Sequence, residues 1–160
     1  PVLKKKAEPV PEVTGDVQRL IDDMAETMYA APGVGLAAPQ IGRSVRVIVI
    51  DINSKEEGKG GLISLINPDI IEHSGDIAWE EGCLSVPDYS ADVRRFERVV
   101  VKGLDRNGRE KIVVGEGLLS IALQHEIDHI NGILFIDRLG PIRRDLIKRK
   151  LRKQARIEAI

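Results

Sequence analysis

The sequence predicts an α+β domain: short antiparallel sheets packed around a central helix, with a further helix at the C-terminal end. Three observations predict it. Apolar residues repeat at helical spacing near residue 20 and again near residue 122. Between these two segments lie β-branched runs and turn signals of the kind that build strands and hairpins. Strands and helices do not alternate regularly, which argues against a doubly wound parallel sheet. A length of 160 residues predicts one domain over 1–160.

Residues 1–13 are expected to be extended, because Pro1, Pro9 and Pro11 limit helix formation. Thr14 is placed to cap a helix over about 16–29, where Val17, Leu20, Ile21, Met24 and Met28 share a face. Pro32-Gly33 ends it, and Gly33 to Gln40 follows as a small-residue loop. Val45 to Ile52 has the β-branched content of a buried strand. Asn53 to Gly61 is a polar loop rich in Gly and Lys. Leu62 to Ile66 and Ile70 to Glu72 are predicted as two short strands around a turn at Asn67-Pro68. Arg98 to Asp105 and Glu110 to Val114 form a predicted hairpin joined by Arg106-Asn107-Gly108. A second helix is predicted over Gly115 to Ile130 and closed by Asn131-Gly132; a last one runs from about 141 to the end.

Hydrophobic residues make up 42% and charged residues 31%, an ordinary globular balance. Aromatics are only 3%, so the core must rest on Ile, Val and Leu. A net charge of −1 argues against a globally basic nucleic-acid binder, and no sequence-specific nucleic-acid partner is expected. The single cysteine cannot form an internal disulfide, which fits a reducing compartment. No apolar run has the length of a membrane span, and Lys4-Lys5-Lys6 is not followed by an apolar stretch. Cytoplasm is the expected location, with no membrane partner. The chain opens at Pro1 without an initiator Met, so a cut or processed start is expected.

Chemistry concentrates in His125-Glu126-Ile127-Asp128-His129, which holds two of the three histidines. Their i, i+4 spacing puts both imidazoles on one helix face, roughly 40° apart around the axis. Two neutral imidazoles can bind one divalent metal, and an adjacent glutamate can handle the proton of an activated water. The surrounding helix is apolar (Leu118, Leu119, Ile121, Ala122, Leu123), so these histidines point toward a packed interior, where imidazoles need partners. Cys83, in Glu81-Gly82-Cys83-Leu84-Ser85, completes a three-ligand set with an open fourth position, the mark of a catalytic site. Alone, Cys83 would read as a small buried hydrophobe, Gly33 to Gln40 as a turn and Trp79 as core. His73 reads as a surface residue.

The three segments together resemble the signature motifs of the peptide deformylases. Gly33-Val34-Gly35-Leu36-Ala37-Ala38-Pro39-Gln40 is similar to the family's G-x-G-[I/L]-A-A-x-Q. Glu81-Gly82-Cys83-Leu84-Ser85 matches its E-G-C-[L/x]-S, and Gln124-His125-Glu126-Ile127-Asp128-His129 its Q-H-E-x-D-H. The order agrees and nearly the whole chain is covered. Family members usually carry a short segment ahead of the position matching Pro1, often an edge strand. Some carry an arginine near Tyr89 and Ser90, where this chain has Pro87-Asp88-Tyr89.

The resemblance implies a hydrolase that removes the formyl group from the N-terminal formyl-methionine of nascent polypeptides and releases formate. It implies Cys83, His125 and His129 as metal ligands and Glu126 as the residue that takes and returns a proton. The Gln40 side-chain amide and the Leu84 backbone N–H would stabilise the oxyanion. Matching positions propose Val34, Trp79, Leu118, Ile121 and Ala122 around the methionine side chain. Gly35 would offer backbone hydrogen bonds in a strand-like mode, and Glu81 would pair with Arg95 to fix the cysteine loop. The ligands suit Zn²⁺, Fe²⁺, Co²⁺ and Ni²⁺ alike, and the family favours Fe²⁺. The C-terminal segment carries Arg143, Arg144, Lys148, Arg149, Lys150, Arg152, Lys153 and Arg156 against Asp145 and Glu158. This charge is either a solvated helix face or a contact with ribosomal RNA. The rival functions are a metallopeptidase built on the same H-E-x-x-H helix and a non-catalytic metal-binding, ribosome-associated module. The first is disfavoured by an upstream cysteine ligand, the second by the presence of Glu126 and Gln40.

Overall fold

A computed structural model of the chain describes residues 6–31, 33–52, 61–83 and 86–133, without the side chains of 79–93. The loop expected at 53–61 lies almost wholly outside the described residues, and the C-terminal helix entirely so. The remainder is α+β. A five-stranded antiparallel sheet has the order β1-β2-β3-β6-β7, from Gly35–Ala37, Val47–Ile50, Ile63–Ser74, Arg98–Leu104 and Glu110–Glu116. A separate two-stranded ribbon pairs β4 (Ile77–Cys83) with β5 (Val86–Arg95). Two helices, α1 (Gly15–Ala30) and α2 (Leu118–Ile130), complete the described fold. None of the described helices is long and apolar enough to cross a membrane.

The run Val47-Ile48-Val49-Ile50 explains why β2 reads as uninterrupted apolar sequence: both of its faces are buried. Ile48 and Ile50 pack with Leu65, Val99, Val101, Leu123, Ile127 and Ile130 on the α2 side. Val47 and Val49 pack with Leu20, Ile21, Met24 and Met28 of α1 on the other. The period-2 alternation of the strand thus divides one apolar run between two cores. The helix face predicted for 16–29 is the one buried, with Leu20, Ile21, Met24 and Met28 inside.

Two sequence expectations change. Residues 62–72 do not form two strands around a turn; β3 is one strand from Ile63 to Ser74 with register shifts between Ile66 and Asp69 and between Ile70 and Glu72. Pro68 cannot donate to a ladder, so it is accommodated at a bulge instead of ending the strand. Asn67 takes a left-handed φ of 54° there. Its side chain accepts from Val10 N–H and donates to Val10 C=O, both at 2.8 Å, pinning the N-terminal segment. The second helix starts at Leu118 and not at Gly115, because Gly115 and Glu116 still pair in β7 and Gly117 turns the chain at φ 59°. A Cβ on Gly115 would sit 2.8 Å from Leu123 Cδ1, so the glycine is what lets helix and strand approach. The helix ends as predicted. Gly132 at φ 76° allows its N–H to reach the His129 carbonyl (3.1 Å), and Ile133 N–H reaches that of Asp128 (2.8 Å), a Schellman closure.

Candidate metal and catalytic site

Helix α2 packs against β1, β2 and the 3-10 turn Ala38–Ile41, so its inner face looks onto the first motif. On that face His125 and His129 bring their Nε2 atoms to 3.2 Å of one another, with the rings nearly edge to face. Two nitrogens bound to one tetrahedral ion at about 2.0–2.1 Å stand roughly 3.4 Å apart, so the pair is spaced to share a metal. Glu126 Oε1 lies 3.6 Å from His125 Nε2. The donor atoms of His125, Glu126 and His129 all fall within 4.8 Å of each other. His129 and Glu126 are buried, while the His125 side chain keeps 15% of its surface exposed. The cluster therefore opens toward solvent on the His125 side. The donor set fits a divalent transition metal: imidazole nitrogens beside a carboxylate suit a borderline ion.

The first motif is more structured than the predicted loop. Residues Gly35–Ala37 form β1, the edge strand of the large sheet, paired among the described residues with β2 alone through Gly35↔Ile50, Leu36↔Val49 and Ala37↔Ile48. Gln40 sits in the 3-10 turn that follows, and its Oε1 accepts the Ala37 N–H at 2.9 Å. Only the amide oxygen can face an N–H, so this bond fixes which way the side-chain NH₂ points. Asp51 N–H donates to Val34 C=O at 2.8 Å, and Tyr29 Oη donates to Asp51 Oδ2 at 2.7 Å. Burial, then the bond to the Asp51 carboxylate, pushes the Tyr29 phenol up to about 12. Helix α1 is thereby tied to the motif backbone.

Of the other predicted site residues, Ile121 and Ala122 are buried on α2, Leu118 opens the helix as an exposed residue, and Val34 is half-buried. The backbone of β4 carries Trp79 opposite Val93, Glu81 opposite Ala91 and Cys83 opposite Val86, so Cys83 lies at the end of its strand. Their side chains lie outside the described residues, as does Leu84. The Glu81–Arg95 pair is outside them for the same reason.

Sequence reasoning missed the contacts made by the polar residues that flank His125, Glu126 and His129 on α2. Arg95 pairs with Asp128, both nearly buried. Gln124 accepts the Phe96 N–H at 2.9 Å and donates to the Phe96 C=O at 2.8 Å. Ser120 Oγ also donates to the Phe96 carbonyl (2.8 Å), and Gly117 N–H donates to that of Glu97 (3.0 Å). The connection from β5 to β6 is therefore laced to α2 along its length. The available signal was spacing: Ser120, Gln124 and Asp128 recur every four residues on one helix face, beside the histidine face.

Comparison with known proteins identifies the family. The family model described as polypeptide deformylase matches residues 1–145. A peptide deformylase of Syntrophobacter fumaroxidans is 54% identical over 154 residues, covering 96% of this chain and 90% of that protein. One from Thermodesulfovibrio yellowstonii is 54% identical over 151 residues, covering 94% and 91%. The crystal structure of a peptide deformylase from Legionella pneumophila superposes with a TM-score of 0.88 at 50% identity, over 99% of this chain and 92% of that one. With a match that spans most of its length and relatives this similar, the chain belongs to the polypeptide deformylase family.

Proposed function

We infer that this chain hydrolyses the N-formyl group of formyl-methionyl nascent polypeptides and releases formate. The observation that carries the reading is the convergence of His125 and His129 Nε2 at 3.2 Å beside the Glu126 carboxylate. That arrangement sits in a member of the polypeptide deformylase family. His125 and His129 would hold a divalent metal with Cys83 as third ligand, and Fe²⁺ is the ion we propose for the cell, with Zn²⁺, Ni²⁺ or Co²⁺ able to replace it. Such an ion supplies Lewis-acid activation of water near neutral pH. Glu126 takes the proton of the attacking water and passes it to the departing amine nitrogen. The Gln40 amide, aimed by its bond to Ala37 N–H, and the Leu84 backbone N–H donate to the oxyanion that grows on the formyl oxygen. Gly35 lies on a sheet edge, which suits a peptide bound as an added strand. Val34, Trp79, Ile121, Ala122 and Leu118 are proposed around the methionine side chain, and Glu81 as support for the cysteine segment.

Residues 1–160 are proposed to act as one catalytic domain in the cytoplasm. The basic segment 143–156 is proposed to contact ribosomal RNA; association that does not weaken with salt would contradict it. The metallopeptidase and non-catalytic alternatives are not favoured, given the family. Formate release from a formyl-Met dipeptide, by protein purified without oxygen and loaded with Fe²⁺, tests the function. Rapid turnover abolished by chelator is expected. Cleavage of unformylated peptides without formate release would overturn it.

A further inference from the structure

Gly33-Val34-Gly35 contains two glycines, and only one of them faces the chemistry. A Cβ added at Gly33 would meet nothing closer than 3.7 Å. A Cβ added at Gly35 would lie 3.0 Å from Glu126 Cγ, 3.2 Å from Cδ and 3.5 Å from Oε1. Gly35 is not among the residues with positive φ, so its backbone does not demand glycine, in contrast to Gly42, Gly108, Gly117 and Gly132. The demand at Gly35 is for space, and the neighbour that fills the space is the Glu126 side chain.

We propose that Gly35 is a positioning residue for Glu126: the missing side chain of β1 forms the seat that holds the carboxylate in its working place. The proposal rests on the role given to Glu126 above and adds what sets its position. Glu126 is 2% exposed and cannot swing into solvent. The helix beneath it is held by Leu123, Ile127 and Ile130 in the core, so the backbone cannot retreat. A methyl group at Gly35 therefore forces the shift onto the Glu126 torsions. Closely packed sites resist even one added carbon. A catalytic group must be held within about 0.5 Å of its productive position. The backbone N–H and C=O of residue 35 survive in alanine, so strand-like substrate bonds are retained while the carboxylate moves.

Gly35→Ala is expected to lower kcat by roughly tenfold to a hundredfold, with KM for the formyl-Met dipeptide changed less than about twofold. A raised KM with unchanged kcat would show that the methyl group obstructs substrate instead, and would overturn the proposal. A second readout needs no turnover. In full-length protein stripped of metal, Gly35→Ala should lower Tm when Glu126 is present and should not when Glu126→Ala has removed the atoms it would strike. Equal losses of Tm in both backgrounds would also overturn it. If Gly35→Ala fails to fold, folding of Gly35→Ala/Glu126→Ala supports the proposal and failure of both overturns it. Because the melting cycle is independent of turnover, a parent enzyme that released no formate would sink the functional reading and leave this test standing.

Discussion

Glu126 is the residue to which the proposed mechanism assigns the proton transfers. It is buried beside His125, occupies the space a side chain at Gly35 would need, and is not among the residues of the hydrophobic cores on either side of the sheet. Replacing it with glutamine keeps the volume and removes the carboxylate proposed as the base. Glu126→Gln is expected to bind metal as the parent does and to lose nearly all turnover; atomic absorption beside a formate assay checks both. Tyr29 makes a different prediction. Its phenol is raised from an ordinary value of 10.0 to about 12 by burial and by the bond to Asp51. The folded state therefore holds this proton more tightly than the unfolded chain does. The contribution to stability is fully present below pH 10 and is lost as pH rises through 12. Spectrophotometric titration of phenolate should give a late-ionising tyrosine that disappears in Tyr29→Phe. A Tyr29 that ionised near pH 10 in the folded protein would contradict the partly buried Tyr29–Asp51 bond.

Among elements, the decisive junction is between α2 and the exit of β5. Arg95 and Asp128 are buried together, so removing one takes a counterion from a charge in a dry place. Arg95→Met is expected to cost about 3–5 kcal/mol of stability, far more than an exposed pair would. Urea unfolding measures it, and a loss below about 1 kcal/mol would place the pair among the weak surface type. This junction shows where sequence legibility stops. The amphipathic face of α1, the β6–β7 hairpin and the two histidines were readable, because local spacing alone specifies them. The bulged continuity of β3 was not, since Asn67-Pro68 carries the same turn chemistry in a bulge as in a turn. The Arg95–Asp128 pair was not either: its partners are 33 residues apart, and only the fold joins them. The start of α2 was misplaced by three residues because Gly115 and Gly117 punctuate a strand end as readily as a helix start.

For the molecule as a whole, the main sheet and its two helices form one body through the cores on both faces of β2, while Cys83 stands on a separate two-stranded ribbon. The proposed ligand set therefore spans two sheets: His125 and His129 come from the helix packed on the large one, Cys83 from the small one. A metal bound by all three would link them, and binding to the folded state alone raises stability by mass action. Free metal at a hundred times its dissociation constant contributes about 2.7 kcal/mol. For a chain of this size that corresponds to a Tm increase of roughly 5–11 °C. Chelated and Co²⁺-loaded protein should differ by this order in a thermal scan. Cys83→Ala should shrink the metal-dependent increment and leave the Tm of the chelated protein nearly unchanged, because the residue would then contribute through the ion and not through packing. An increment preserved in Cys83→Ala would remove the cysteine from the ligand set while leaving the histidine pair in place.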